Sequence, residues 1–97
     1  MTPAARTTPE LIALRAELEG VDAQLVELLA RRLEIARKIG AEKRAAGLPL
    51  QDPRREAQVI ATVAKNARRA GIPEEAARDI VWPIVAMCRR AQQDDTV

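Results

Sequence analysis

The sequence predicts an all-α fold: three helices per chain, the first much the longest, paired with a second copy as an antiparallel homodimer. Two patterns predict the helices and one predicts the dimer. Proline and glycine fall at a few points that punctuate the chain, and between those points apolar residues recur at alternating steps of three and four. The first helix is too long to be covered by the rest of a 97-residue chain.

Thr8-Pro9-Glu10 opens the first helix, with threonine as N-cap, proline at the first helical position and an acid in the first turn. No proline follows until Pro49. Leu11, Leu14, Leu18, Val21, Leu25 and Leu28, then Ile35 and Ile39, form a sustained heptad seam. Gly20 and Gly40 each cost about 1 kcal/mol against alanine without breaking it. A helix over about residues 9–46 is roughly 55 Å long. Two such helices from two chains, packed antiparallel, would cover each other.

Gly47-Leu48-Pro49 ends the first helix, with glycine at the left-handed cap. Asp52-Pro53 repeats the cap-plus-proline signal and opens a second helix to about Arg69. Gly71-Ile72-Pro73-Glu74-Glu75 closes it and starts a third, running to about Gln93. Pro83 lies inside the third pattern, where it removes a backbone hydrogen bond and is expected to kink the helix or mark the start of its regular part. The chain reads as one domain, with its core at about 9–93 and frayed ends at 1–7 and 94–97.

Composition narrows the chemistry. A chain this small usually needs disulfides, a metal or a partner to complete its core. Cys88 is the one cysteine and there is no histidine, so no internal bridge and no ordinary metal-ligand set is available, and oligomerisation remains. Sixteen Lys and Arg against 14 Asp and Glu alternate along the chain, the pattern of solvated helix faces. No secretory leader or membrane span is expected, which points to the cytoplasm. Serine, tyrosine and phenylalanine are also absent. An enzyme built from this set works by binding and electrostatics and without a proton shuttle.

Polar residues interrupt the apolar seams. At about 100° per residue, Arg32 points with Leu14 and Lys43 with Leu25, while Arg15 lies at the stripe's edge. Each taken alone is a snorkelling side chain or a register-setting charge. Three cations on one face call for compensation, because a buried unpaired charge is costly. On the second helix Val59, Ile60 and Val63 mark the core face, and Glu56 sits one turn earlier on it, best read as half of an internal salt bridge. On the third, Val81, Ile84, Val85 and Cys88 form the face, with Gln92 four residues on. Cys88 reads as a small buried apolar residue, Arg55 as surface charge. The set suits a pocket for a small anion with two carboxylates and a hydroxyl. Arg32 and Lys43 stand about 16 Å apart along the helix, within reach of one small molecule; Arg15 is about 42 Å from Lys43 and would reach that pocket only from an antiparallel partner.

The run from Leu11 to Glu56, with Gln92, resembles the all-helical (AroQ) class of chorismate mutases, whose ordered pattern is matched here by Arg15, Asp22, Arg32, Lys43, Asp52, Arg55, Glu56 and Gln92. The resemblance covers about Leu11 to Gln92. It implies an intertwined homodimer with two equivalent sites that converts chorismate to prephenate by an intramolecular Claisen rearrangement, in aromatic amino acid biosynthesis, with no cofactor, no metal and no covalent intermediate. By the match, Lys43 and Gln92 donate hydrogen bonds to the breaking ether oxygen. Arg32, with Arg15 of the other chain, clamps the two carboxylates, Glu56 accepts from the ring hydroxyl beside Asp52, and Arg55 supports the site.

Two positions depart from the family pattern. Cys88 stands where many members carry a serine that contacts a carboxylate, and Arg89 replaces a common apolar residue, adding a cation at the pocket rim. Relatives that rearrange 4-amino-4-deoxychorismate share the framework and remain an alternative, with isochorismate-pyruvate lyases below them. Two other classes stay open: a non-catalytic helical adaptor whose charges set register, and a nucleic-acid binder using Arg68, Arg69, Arg89 and Arg90. The latter lacks a helix-turn-helix or an aromatic platform, so neither nucleic acid nor membrane is the expected partner.

Overall fold

Thr8 Oγ1 accepts the Leu11 N–H at 3.0 Å, so the first turn of α1 is capped as its sequence signal requires. In the computed structural model, which describes residues 7–94, α1 spans Pro9–Ala46, α2 Pro53–Arg69 and α3 Glu74–Asp94, and no strand occurs among the described residues. The expected boundaries hold to within a residue, except that α3 continues to Asp94 instead of fraying there. The rest of the expected frayed ends, Thr7 apart, lies outside the described residues. Pro83 is accommodated within a continuous α3.

Both interhelical turns close in the same way. Gly47 has φ 69° and Gly71 φ 78°, the left-handed conformation that glycine adopts without steric cost. Around Gly47, the Gly47 N–H donates to the Arg44 carbonyl and the Leu48 N–H to the Lys43 carbonyl. Gly71 and Ile72 repeat the pair onto Arg68 and Ala67. These are Schellman caps, which satisfy the last carbonyls of each helix as the chain reverses. At the start of α2, Asp52 Oδ1 accepts the Arg55 N–H at 3.1 Å, and Pro53 follows at the position where a missing N–H costs nothing.

The chain forms two compact units, Met1–Arg31 and Arg32–Val97. In the first, the described residues from Pro9 onward are one stretch of α1, and its seam is open: Leu11 is 40% exposed, and Leu14, Leu18, Val21, Leu25 and Leu28 are 51–60% exposed. In the second, the end of α1 joins α2 and α3 around a core of small side chains. Ile60, Val85 and Cys88 are buried with Ala36, Ala64, Ala67, Ala77 and Ala91. Val59, Val63, Val81 and Ile84, expected on the core faces, are half-buried. Gly40 is buried too, for a reason of close approach: a Cβ there would lie 3.0 Å from the Gln92 Cα. No described helix is long and apolar enough to cross a membrane.

Candidate active site

The Arg32–Val97 unit contains a cavity of about 430 Å³, the size of a small-molecule site. Arg32 and Lys43 reach it from α1, Asp52, Arg55 and Glu56 from the start of α2, and Cys88, Arg89 and Gln92 from α3. Seven of the nine residues singled out in the sequence therefore line one cavity, and Arg89, expected at the pocket rim, joins them. The other two, Arg15 and Asp22, are exposed on the first unit and are not part of the lining. Four cations (Arg32, Lys43, Arg55 and Arg89) face two carboxylates (Asp52 and Glu56), leaving a formal excess of two positive charges.

Lys43 is fixed at both ends. Its carbonyl belongs to the Gly47 cap, and its ammonium donates to the Leu50 carbonyl at 3.0 Å and to Gln92 Oε1 at 3.2 Å. An ammonium has three N–H donors, so one is left for a ligand. Because Oε1 of Gln92 faces Lys43, its Nε2 is the amide's remaining donor. Gln92 is itself held by its backbone: its carbonyl accepts from Arg44 Nη1 at 2.7 Å, and Gly40 lets α1 come this close. The pair thus presents two donors of fixed geometry.

Glu56 has a partner that the sequence did not identify. Arg89 donates from Nε to Oε2 and from Nη2 to Oε1, each at 2.8 Å, a bidentate fork between α3 and α2. An internal salt bridge at Glu56 was expected, and the cation is Arg89 of α3 instead of one from the first helix. These hydrogen bonds, opposed by burial and reinforced by the charges of Arg89 and Lys43, hold the Glu56 carboxyl below its ordinary range, while nearby Asp52 acts to raise it. Arg89 is shifted upward by the same hydrogen bonds. Glu56 is an anion at neutral pH.

Cys88 is 3% exposed, as a small apolar residue in the core would be, and lines the floor of the cavity with a thiol where a hydroxyl would be a stronger donor. Asp52 already accepts from the backbone at the α2 N-terminus, so part of its capacity is structural. Of the four arginines considered for a nucleic-acid surface, Arg68 is paired with Glu74 and Arg89 with Glu56. No group of three or more His, Cys, Asp or Glu that could hold a metal ion exists among the described residues.

Residues 14–93 match the family profile of chorismate mutase type II. The chain belongs to that family. The family's matched span takes in every cavity-lining charge named above. The T-protein of Enterobacter agglomerans is 35% identical over 85 residues, covering 88% of this chain and 23% of that protein. The 4-amino-4-deoxychorismate mutase of Streptomyces pristinaespiralis is 38% identical over 92 residues, covering 95% of this chain and 70% of that one. The bifunctional chorismate mutase/prephenate dehydratase of Aquifex aeolicus is 33% identical, covering 81% of this chain and 23% of that protein. The chain thus spans less than a quarter of two of these three relatives.

Proposed function

We propose that this type II chorismate mutase domain rearranges chorismate to prephenate. The observation that carries the reading is the cavity's charge: an excess of two cations from one chain, opposite in sign to a dicarboxylate, around the fixed donor pair of Lys43 and Gln92. In the reaction the ether bond to the ring breaks as a carbon–carbon bond forms from the enolpyruvyl methylene to the ring. Electrons move in one cyclic array, no proton is transferred and nothing leaves, so neither histidine nor serine is required. The barrier falls if the compact conformer is held and negative charge growing on the ether oxygen is met by preorganised donors. Lys43 and Gln92 Nε2 supply those donors. Arg32 holds one carboxylate, with Arg55 behind it. Glu56 accepts the ring hydroxyl, and Cys88 packs the floor. No cofactor takes part.

Arg15 enters the reading through a second copy. The open leucine seam of α1 is the surface that an antiparallel, intertwined partner would cover, and such a partner would carry Arg15 to the cavity's remaining carboxylate position. A thermal midpoint that rises with protein concentration is expected of such a dimer; a concentration-independent midpoint with a monomeric mass would exclude it.

The direct test is incubation with chorismate, followed by acid conversion of the product to phenylpyruvate and its ultraviolet detection. Absence of phenylpyruvate above the uncatalysed rate would reject the reading. A second substrate, 4-amino-4-deoxychorismate, is favoured by the Streptomyces relative so named, which matches 95% of this chain.

A further inference from the structure

The two substrates differ at one ring position, where one carries a neutral hydroxyl and the other a primary amine that is an ammonium at neutral pH. We infer that Arg89 determines which is accepted, by making the pocket selective for the hydroxyl. The inference rests on the proposed function and deepens it.

The cavity offers two carboxylates to that ring substituent. Asp52 is engaged as the α2 cap through Oδ1 and keeps Oδ2, and Glu56 is the acceptor that the proposed function assigns to the ring substituent. Glu56 does not meet the substrate as a bare carboxylate. Both of its oxygens already accept from the Arg89 fork at 2.8 Å, and each keeps a further lone-pair position. A hydroxyl donates one hydrogen to such a position and brings no charge. An ammonium arrives at a carboxylate whose charge is already neutralised by Arg89, and stands beside the guanidinium itself.

The wider charge balance acts in the same direction. The lining has two excess positive charges from one chain, and Arg15 of a second copy would add a third, so the site's positive charge is not exceeded by a dicarboxylate with a hydroxyl. The amino analogue has one net negative charge, one fewer than the hydroxyl substrate, so it would leave the site with one more uncompensated cation. Unlike charge repulsion in bulk water, this repulsion acts in a partly desolvated cavity, where screening is weaker. An apolar residue in place of Arg89 would leave Glu56 as an unshared anion and turn the same position into an ammonium site. Arg89 therefore acts as a repulsive element against the wrong substrate while holding the acceptor in place for the right one.

The test compares kcat/KM for chorismate and for 4-amino-4-deoxychorismate in the wild-type chain, Arg89→Met and Arg89→Lys, with folding checked by circular dichroism. The wild type is expected to favour chorismate by at least about tenfold, and Arg89→Met to shift the ratio toward the amine by about tenfold or more. Arg89→Lys, which keeps the charge without the fork, should retain most of the preference. In Arg89→Met the acidic limb of the pH–activity profile should also move upward, because Glu56 loses the hydrogen bonds that favour its anion. If the methionine variant does not fold, Arg89→Gln, uncharged but able to donate to Glu56, takes its place. An active enzyme whose substrate ratio is unmoved by loss of the charge, or a wild type that favours the amine, overturns the role of Arg89 alone. A folded wild type that turns over neither substrate overturns this role together with the proposed function.

Discussion

Replacing Gly40 by alanine probes how closely α1 and α3 must approach for catalysis. A Cβ at Gly40 would sit 3.0 Å from both the Cα and the carbonyl oxygen of Gln92 and 3.1 Å from its Cβ. Carbon atoms pack best at about 3.5–4.0 Å, so the helices must separate by at least ~0.5 Å. The atoms struck are backbone and Cβ, and no side-chain rotation can relieve them. The bond from Lys43 to Gln92 Oε1 starts at 3.2 Å, and the same separation lengthens it to about 3.7 Å, beyond hydrogen-bonding range. The 2.7 Å bond from Arg44 to the Gln92 carbonyl has room to survive. Because a 1 Å misplacement at a reacting centre costs about a hundredfold, half of that should lower kcat by about tenfold. KM should change less, since the donors act on charge that develops in the transition state. Overpacking costs about 1–3 kcal/mol, offset by about 1 kcal/mol of helix propensity, for a net loss of about 0–2 kcal/mol. Gly20→Ala is the matched control: nothing lies within 4 Å of a Cβ there, so it should raise stability by up to about 1 kcal/mol with kcat unchanged. The assay is the loss of chorismate absorbance, with melting followed by circular dichroism. A kcat for Gly40→Ala within a factor of two of wild type would refute the claim that this close approach positions Gln92.

Lys43→Ala should lower kcat by at least about 10²-fold with a smaller change in KM, as removal of an oxyanion donor does; steady-state kinetics showing an unchanged kcat would take lysine out of the mechanism. Arg15→Ala and Lys43→Ala chains, each inactive alone, should regain about a quarter of wild-type activity when unfolded and refolded together, because half of the randomly paired dimers contain one intact site. No recovery despite verified chain exchange would remove Arg15 from a shared pocket. The Glu56–Arg89 pair should stabilise the fold fully above the ordinary glutamate value of 4.5 and lose that contribution as pH falls through the depressed value of Glu56. Denaturation of the wild type and Arg89→Met from pH 7 down to about 2 measures it; a stability difference that does not shrink toward the acid end would contradict the pairing.

Helix ends were legible because each is written in local chemistry. Thr8, Asp52, Gly47 and Gly71 satisfy backbone groups within four residues of themselves, and a linear pattern records such relations well. The same holds for Arg32 and Lys43, whose odd placement on an apolar face needs only helical periodicity. Arg89 was harder. Its place at the pocket rim could be expected, but its partner lies 33 residues away on another helix and nothing local marks the pair. Gly40 carried no sign beyond a weak helix propensity, since its purpose is a distance between two helices. The alanine core was not legible because alanines recur on every face of these helices, and hydropathy alone does not mark out the buried Ala64, Ala67, Ala77 and Ala91. Arg15 was placed by arithmetic along the helix, which excludes its own chain's pocket but cannot by itself supply the second chain.

The bond from the Lys43 ammonium to the Leu50 carbonyl changes what kind of segment residues 47–52 are. A connection of this sort is usually where a chain tolerates insertions, fusions and new termini. Here its length sets the reach of a site lysine, because one added residue would carry the Leu50 carbonyl past the ammonium it holds at 3.0 Å. The turn between α2 and α3, at 70–73, has a similar glycine cap but is closed by its own backbone and by the Arg68–Glu74 pair, with no bond to a residue lining the cavity. A permuted, split or tagged version of this domain should therefore be opened at the second turn and left intact at the first.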